Sequence, residues 1–109
     1  MAKKIIWSNK AHSDRLKIFE YWNKRNGTNI YSRKLFYLFK SATDLIKQYP
    51  NIGQKTDVEE VRSKLVKDYQ IFYREIDSTS ILILTIWDTR MDPKNKEEEI
   101  KKGRNLSLL

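Results

Sequence analysis

The sequence predicts an α+β domain of order β-α-α-β-β-β. A helical hairpin packs on one side of a small, mostly antiparallel four-stranded sheet, and a polar C-terminal tail or short helix follows. Three observations predict this class. Apolar residues recur at three- and four-residue spacing through residues 9–49. From Val58 the period changes to two. Asn26-Gly27 and Pro50 punctuate the pattern where one element must end and the next begin. Placing helices together on one face is the α+β way of burying a sheet.

Lys4-Ile5-Ile6-Trp7-Ser8 opens the chain as a short β-branched and aromatic strand. Ser8, Asn9 or Ser13 is placed to cap a helix running to about Arg25, with Leu16, Ile18, Phe19 and Trp22 as its apolar stripe. Gly27 ends that helix, because glycine takes the left-handed cap conformation without penalty. Thr28 or Asn29 caps a second helix. Its stripe is Tyr31, Leu35, Leu38, Ala42, Leu45 and Tyr49, while Arg33, Lys34, Lys40 and Lys47 lie mainly off it. Pro50 terminates it, since a residue before proline is pushed out of the helical region. So short a connection makes the pair an antiparallel hairpin.

Three strands follow, over Val58 to Lys67, Tyr69 to Ile76 and Ser80 to Trp87. Asp68 breaks the first pair and Asp77-Ser78-Thr79 turns between the second and third. Ile81-Leu82-Ile83-Leu84-Thr85-Ile86-Trp87 is apolar on both faces and therefore interior. The strand over Val58 to Lys67 presents one basic face through Arg62 and Lys64. Beyond Asp92-Pro93 the chain is polar, with only Ile100, Leu106, Leu108 and Leu109 apolar, which reads as a loosely held helix or tail. The expected organisation is one domain over residues 1–93 and a tail over 94–109.

At 109 residues there is room for one core. The absence of cysteine excludes disulfides, thiolate nucleophiles, thiolate zinc sites and iron–sulfur clusters. A single histidine argues against a multi-histidine metal site, so neither metal nor cofactor is expected. No apolar run approaches the roughly 18–20 residues of a membrane span, and the first residues lack a signal-peptide core. A cytoplasmic protein with no membrane partner is the expectation. The net charge is +8, and it is unevenly placed. Residues 1–55 hold 12 basic and 3 acidic side chains, against 10 and 11 in the rest. That excess calls for a polyanionic partner, either nucleic acid or an acidic protein segment.

Several segments, taken in order, resemble the RelE/ParE superfamily of toxins from bacterial type II toxin–antitoxin pairs. They are Ile5-Ile6-Trp7-Ser8 before a helix, the helix exit Leu45-Ile46-Lys47-Gln48-Tyr49-Pro50-Asn51-Ile52-Gly53, and Val61-Arg62. Asp68-Tyr69-Gln70-Ile71-Phe72-Tyr73-Arg74-Glu75-Ile76 follows, then Ile81 to Arg90, closing on Asp92-Pro93. The resemblance implies a toxin that arrests growth and is neutralised by a cognate antitoxin bound across its surface. RelE-like members cut mRNA in the ribosomal A site, whereas ParE-like members share the fold and act on DNA gyrase.

Cleaving RNA at a 2′-hydroxyl needs a proton acceptor, a cation for the crowded phosphate and an acid for the leaving oxygen. If the chain is such a metal-independent endoribonuclease, the resemblance assigns catalysis to Arg90, with Arg62 as a second catalytic cation. Lys64 and Lys67 would hold nucleic acid on the same concave face, and Arg33 and Lys34 would grip it from the hairpin. Two departures oppose that reading. Gln70 stands where nuclease members often carry Arg, and neither Tyr nor His follows Arg90. His12 is expected to cap or decorate a helix, and Tyr69 and Tyr73 to serve as core or stacking residues. Glu59, Glu60 and the run Glu97-Glu98-Glu99 are expected to be solvated, and Trp7, Trp22 and Trp87 to anchor cores. The balance leans to a ParE-like gyrase inhibitor. An mRNA endonuclease and a non-toxic small basic RNA-binding domain are the alternatives.

Overall fold

A computed structural model describes residues 3–105. The elements are β1 (Lys4–Trp7), α1 (Asn9–Asn26), α2 (Ile30–Gln48), β2 (Gln54–Lys55), β3 (Arg62–Val66), β4 (Tyr69–Asp77), β5 (Ser80–Asp88) and α3 (Lys96–Asn105). A single 3-10 turn, Pro93–Asn95, precedes α3. The strands form one sheet in the order β1-β5-β4-β3-β2. β1 runs parallel to β5, and the other pairings are antiparallel.

Local chemistry sets the helix ends. The Ser8 hydroxyl accepts from Ala11 N at 2.9 Å and donates to Leu84 O at 2.9 Å, so one buried side chain starts α1 and ties it to β5. Gly27 closes α1 at φ 69°, its N–H reaching Asn23 O. Asn29 stands at the start of α2 without a side-chain cap bond. Ser32 instead links the two helices by donating to Asn23 Oδ1.

The sheet is buried on both faces. On one, Ala11, Leu35, Phe39, Ala42 and Ile46 of the hairpin pack on Ile71, Tyr73, Ile81 and Ile83. On the other, Val58, Val61, Phe72, Leu82, Leu84 and Trp87 pack beneath Ile100 of α3. Tyr73 pins the segment after α2 to the sheet. Its hydroxyl donates to Pro50 O at 2.8 Å and accepts from Gly53 N at 2.9 Å. A Cβ at Gly53 would sit 2.5 Å from that oxygen, so the approach requires glycine.

Five expectations are corrected. The sheet has five strands, because Gln54–Lys55 pairs with Arg62 and Ser63; two residues are too few to show a period. Residues 58–61 form a loop with Glu60 at φ 67°, and the strand begins at Arg62. The buried positions of α2 are Ser32, Leu35, Phe39, Ala42, Thr43 and Ile46, leaving Tyr49 exposed and Leu38 and Leu45 only partly covered. In α1, Leu16 is exposed and Ala11 is fully buried. Finally, α3 is not loosely held. Ile100 is 2% exposed, and Gly103 lies so close to β5 that a Cβ there would come 2.0 Å from Leu84 O. The leucines at 106, 108 and 109 lie outside the described residues.

Gly103→Ala should therefore lift α3 from β5 at a cost of about 1–3 kcal/mol, the usual range for overpacking. A denaturant melt read at the tryptophans measures this; an unchanged midpoint would show that α3 is not seated on Leu84.

Candidate functional site

At the end of β5 the chain turns back on itself. The Asp88 carboxylate accepts from Arg90 N at 2.9 Å, Nε at 3.0 Å and Nη2 at 2.8 Å. This two-pronged pair holds the guanidinium at the mouth of a groove beside α1, 5.8 Å from the centre of the Trp22 ring. Hydrogen bonding to Arg90 holds the Asp88 carboxyl below its usual range, and the same bond raises the Arg90 pKa further. Two of the donors that would meet a phosphate are thus already committed to a carboxylate. Nearby, the Tyr69 hydroxyl accepts from Trp22 Nε1 at 2.8 Å. Burial pushes the Tyr69 phenol up, so it stays neutral at physiological pH and supplies no base.

Arg62 does not join Arg90. Arg62 pairs with Tyr73, while Asp88 pairs with Tyr69, four residues away along β4. That alone separates them by roughly 13 Å. The Arg62 guanidinium donates to Gly53 O at 2.8 Å and Asn51 O at 3.4 Å, a structural clasp on the loop after α2. Lys64 pairs with Ile71 on the hairpin side and lies beside Leu38, Ala42 and Leu45 of α2. Lys67 sits at φ 55° in the exposed β3–β4 turn, and Arg33 and Lys34 are exposed on α2. Arg62 and Lys64 thus stand away from Arg90, whereas Lys67 adjoins Asp68, whose carbonyl accepts from Thr89 N beside Arg90. Strand alternation puts Arg62 and Lys64 on the hairpin face, which Arg90 also borders through Trp22, so distance along the strands is what separates them.

Gln70 lies on the other face, cross-strand from Leu65 and Trp87. It lines a depression of about 300 Å³ with Lys55, Ser63, Phe72, Lys96 and Ile100. The start of α3 forms one wall of this depression. The position where nuclease members often carry Arg is thus both uncharged and overhung by a helix. His12 is partly buried at the start of α1, its Nδ1 3.0 Å from Arg15 Nη2, remote from this face.

One cluster escaped the sequence reading. Lys10 Nζ lies 2.6 Å from Asp14 Oδ1 and 2.7 Å from Glu99 Oε2. The second Asp14 oxygen accepts from Thr85 Oγ1 and from Ile86 N at 3.2 Å. This cluster clamps α1, β5 and α3 together. Burial disfavours the Lys10 charge, but its bonds to Asp14 and Glu99 outweigh that and raise its pKa. Lys10 in turn holds the Glu99 carboxyl below its usual range. The four-residue spacing of Lys10 and Asp14 was visible in the sequence; Glu99, 89 positions from Lys10, was not. Among the described residues no group of three His, Asp or Glu side chains is placed to hold a metal, and no helix is long and apolar enough to cross a membrane.

A helical hairpin on a sheet whose first strand runs parallel to its last is the architecture of the RelE/ParE toxin superfamily. Within it, residues 5–93 match the family described as "ParE toxin of type II toxin-antitoxin system, parDE", and the chain belongs to that family. Among solved structures it is similar to one titled "Chromosomal ParDE TA system from P. aeruginosa". The TM-score is 0.68 at 20% identity, over 78% of this chain and 94% of that one, a likeness of fold. No curated protein matches the chain. Family membership makes the chain the toxin component of a toxin–antitoxin pair, with an antitoxin as its partner. Helix α3 lies beyond the matched residues.

The Glu99 clamp carries a pH signature. Its folded-state pKa is depressed, so its contribution is present above the unfolded value of about 4.3 and is lost as pH falls through the lower folded value. Glu99→Gln should lower the Tm at pH 7, and the gap from wild type should narrow as pH falls below the unfolded value of about 4.3. Melts across that range check this; a gap independent of pH would mean that the ion pair does not hold α3.

Proposed function

We propose that this toxin arrests growth by binding DNA gyrase and that it does not cut RNA. One observation carries the reading. The residue best placed for phosphate chemistry, Arg90, is held in a fork by Asp88, and Arg62 stands apart from it along the strands. Gln70 brings no charge to a developing phosphate dianion, and α3 overhangs the sheet face that it occupies. Inhibition by binding needs none of these groups. It needs an exposed surface of suitable chemistry, and half-exposed Tyr21 and Met91 flank Arg90 in the groove beside α1. The basic excess suits the second partner, an acidic antitoxin segment that orders as it binds.

Brief, tightly controlled induction followed by mapping of mRNA 5′ ends separates the two mechanisms. The expected result is arrested growth with intact messages, for the wild type and for Arg90→Ala alike in their message profile. New ends at fixed positions within translated codons, lost in Arg90→Ala, would overturn the proposal in favour of a ribosome-dependent endonuclease.

A further inference from the structure

We propose that the end of the molecule where Arg25, Lys34, Lys67 and Arg90 gather about Trp22 and Tyr31 binds the phosphate backbone of duplex DNA, without sequence preference, and so presents the toxin to DNA that gyrase holds. The binding site stands on its own geometry, and its role rests on the gyrase reading. Four separate elements bring the cations together. Arg25 lies in the last turn of α1 and Arg90 follows β5, yet each guanidinium is 5.8 Å from the centre of the Trp22 ring. Lys67 occupies the β3–β4 turn, which is fastened beside Arg90 because Asp68 O accepts from Thr89 N and Thr89 Oγ1, both at 2.8 Å. Tyr31 of α2 meets Trp22 edge-on, 4.7 Å between ring centres. Lys34 is one helical turn beyond Tyr31 and one before Leu38, which lines a shallow depression with Lys67. Helical spacing therefore sets Lys34 on the side of α2 that carries both contacts.

All four side chains are exposed. Among the described residues Arg25, Lys34 and Lys67 have no carboxylate partner, and the neighbouring Lys24 is matched by Glu20 at 3.3 Å. Asp88 takes Nε and Nη2 of Arg90, which leaves Nη1 to donate. Of the nearby carboxylates, Asp88 is thus engaged, Asp92 accepts from Lys94 N, and Asp68 is exposed, so cations remain in excess.

These features select the occupant. A single strand binds by stacking its bases on open ring faces. Here the rings are turned to one another, with Tyr21 at 5.1 Å and Tyr31 at 4.7 Å from Trp22, whose indole N–H donates to the Tyr69 hydroxyl. What faces outward is charge. A duplex carries one phosphate charge per about 1.7 Å of its axis, which suits cations spread over four elements. An acidic peptide gains most from apolar anchors between its charges, and the rings that would receive them already fill one another's faces. A second copy of this chain would set these cations against themselves. Backbone contacts of this kind position a protein on DNA without reading its sequence.

The test measures binding of the purified chain to a short fluorescent DNA duplex by anisotropy, with no gyrase present. Four phosphate contacts predict that wild-type affinity falls about a hundredfold between about 0.05 and 0.2 M salt, a readout that does not depend on any variant folding. The variant Arg25→Gln/Lys34→Gln/Lys67→Gln keeps one contact. It should bind about tenfold more weakly at the lower salt and lose only about fourfold over the same range. A control of equal charge change elsewhere, Lys4→Gln/Lys40→Gln/Lys47→Gln, should stay within about twofold of wild type. Equal weakening by both variants, or a wild-type affinity indifferent to salt, would overturn the site. Tighter binding of an RNA duplex of the same sequence would overturn the assignment to DNA. In supercoiling assays the first variant should need about tenfold more protein than wild type to inhibit gyrase, and unchanged inhibition would overturn the role. A wild-type chain that binds duplex and leaves gyrase active would sink the gyrase reading and leave the DNA site standing, whereas one that inhibits gyrase without binding duplex would do the reverse.

Discussion

Both faces and both edges of β5 are occupied, and the remaining elements are arranged by that fact. Ile81 through Trp87 are all buried, so the strand must be covered above and below. Each large apolar side chain so covered contributes roughly 1.5–3 kcal/mol relative to exposure. The hairpin covers one face through Phe39 and Ile46, and α3 covers the other through Ile100. The edges are taken by β4 and by β1, and the parallel β1 pairing sets where α1 begins, because Ser8 caps α1 while donating to Leu84. Thr85 is fully buried, and its hydroxyl goes to Asp14, which extends the strand's influence into the Lys10–Glu99 clamp. The sheet ends at β1, the first strand in its order.

What the sequence revealed follows from which physical signals are local. The unbroken apolar run of β5 and the helix breaks at Gly27 and Pro50 depend on neighbouring residues, and they were readable. The face of α2 was not, because Leu35 to Phe39 is apolar all round and the stripe could start at several positions. Seating of α3 was hidden for a different reason. It rests on one isoleucine and one glycine, and the glycine matters only because the Leu84 backbone passes beneath it. The same difficulty governed the site. Alternation places Arg62 and Lys64 on one side of β3, but it cannot say how far along the sheet they stand from Arg90. Only the cross-strand register resolves that.

The functional picture is that of a family fold in which the groups suited to chemistry serve structure. Arg90 fastens the turn after β5 through Asp88, and Arg62 clasps the carbonyl of Gly53. Tyr69 and Tyr73 hold the hairpin and the following loop to the sheet. A side chain used in this way has little freedom to meet a reacting phosphate, whose stabilisation needs preorganised donors that are still available. What remains accessible is surface: a groove with aromatic and thioether side chains beside α1, a basic groove at the β1 edge, and an uncharged depression beneath α3. Exposed surfaces of this chemistry are what recognition by binding requires.

The most direct measurement is supercoiling of relaxed plasmid by purified DNA gyrase, titrated with the purified chain. The account predicts that supercoiling falls as the chain is added and recovers when the antitoxin is supplied. Undiminished supercoiling at saturating toxin, together with cleavage of mRNA on purified translating ribosomes, would contradict it.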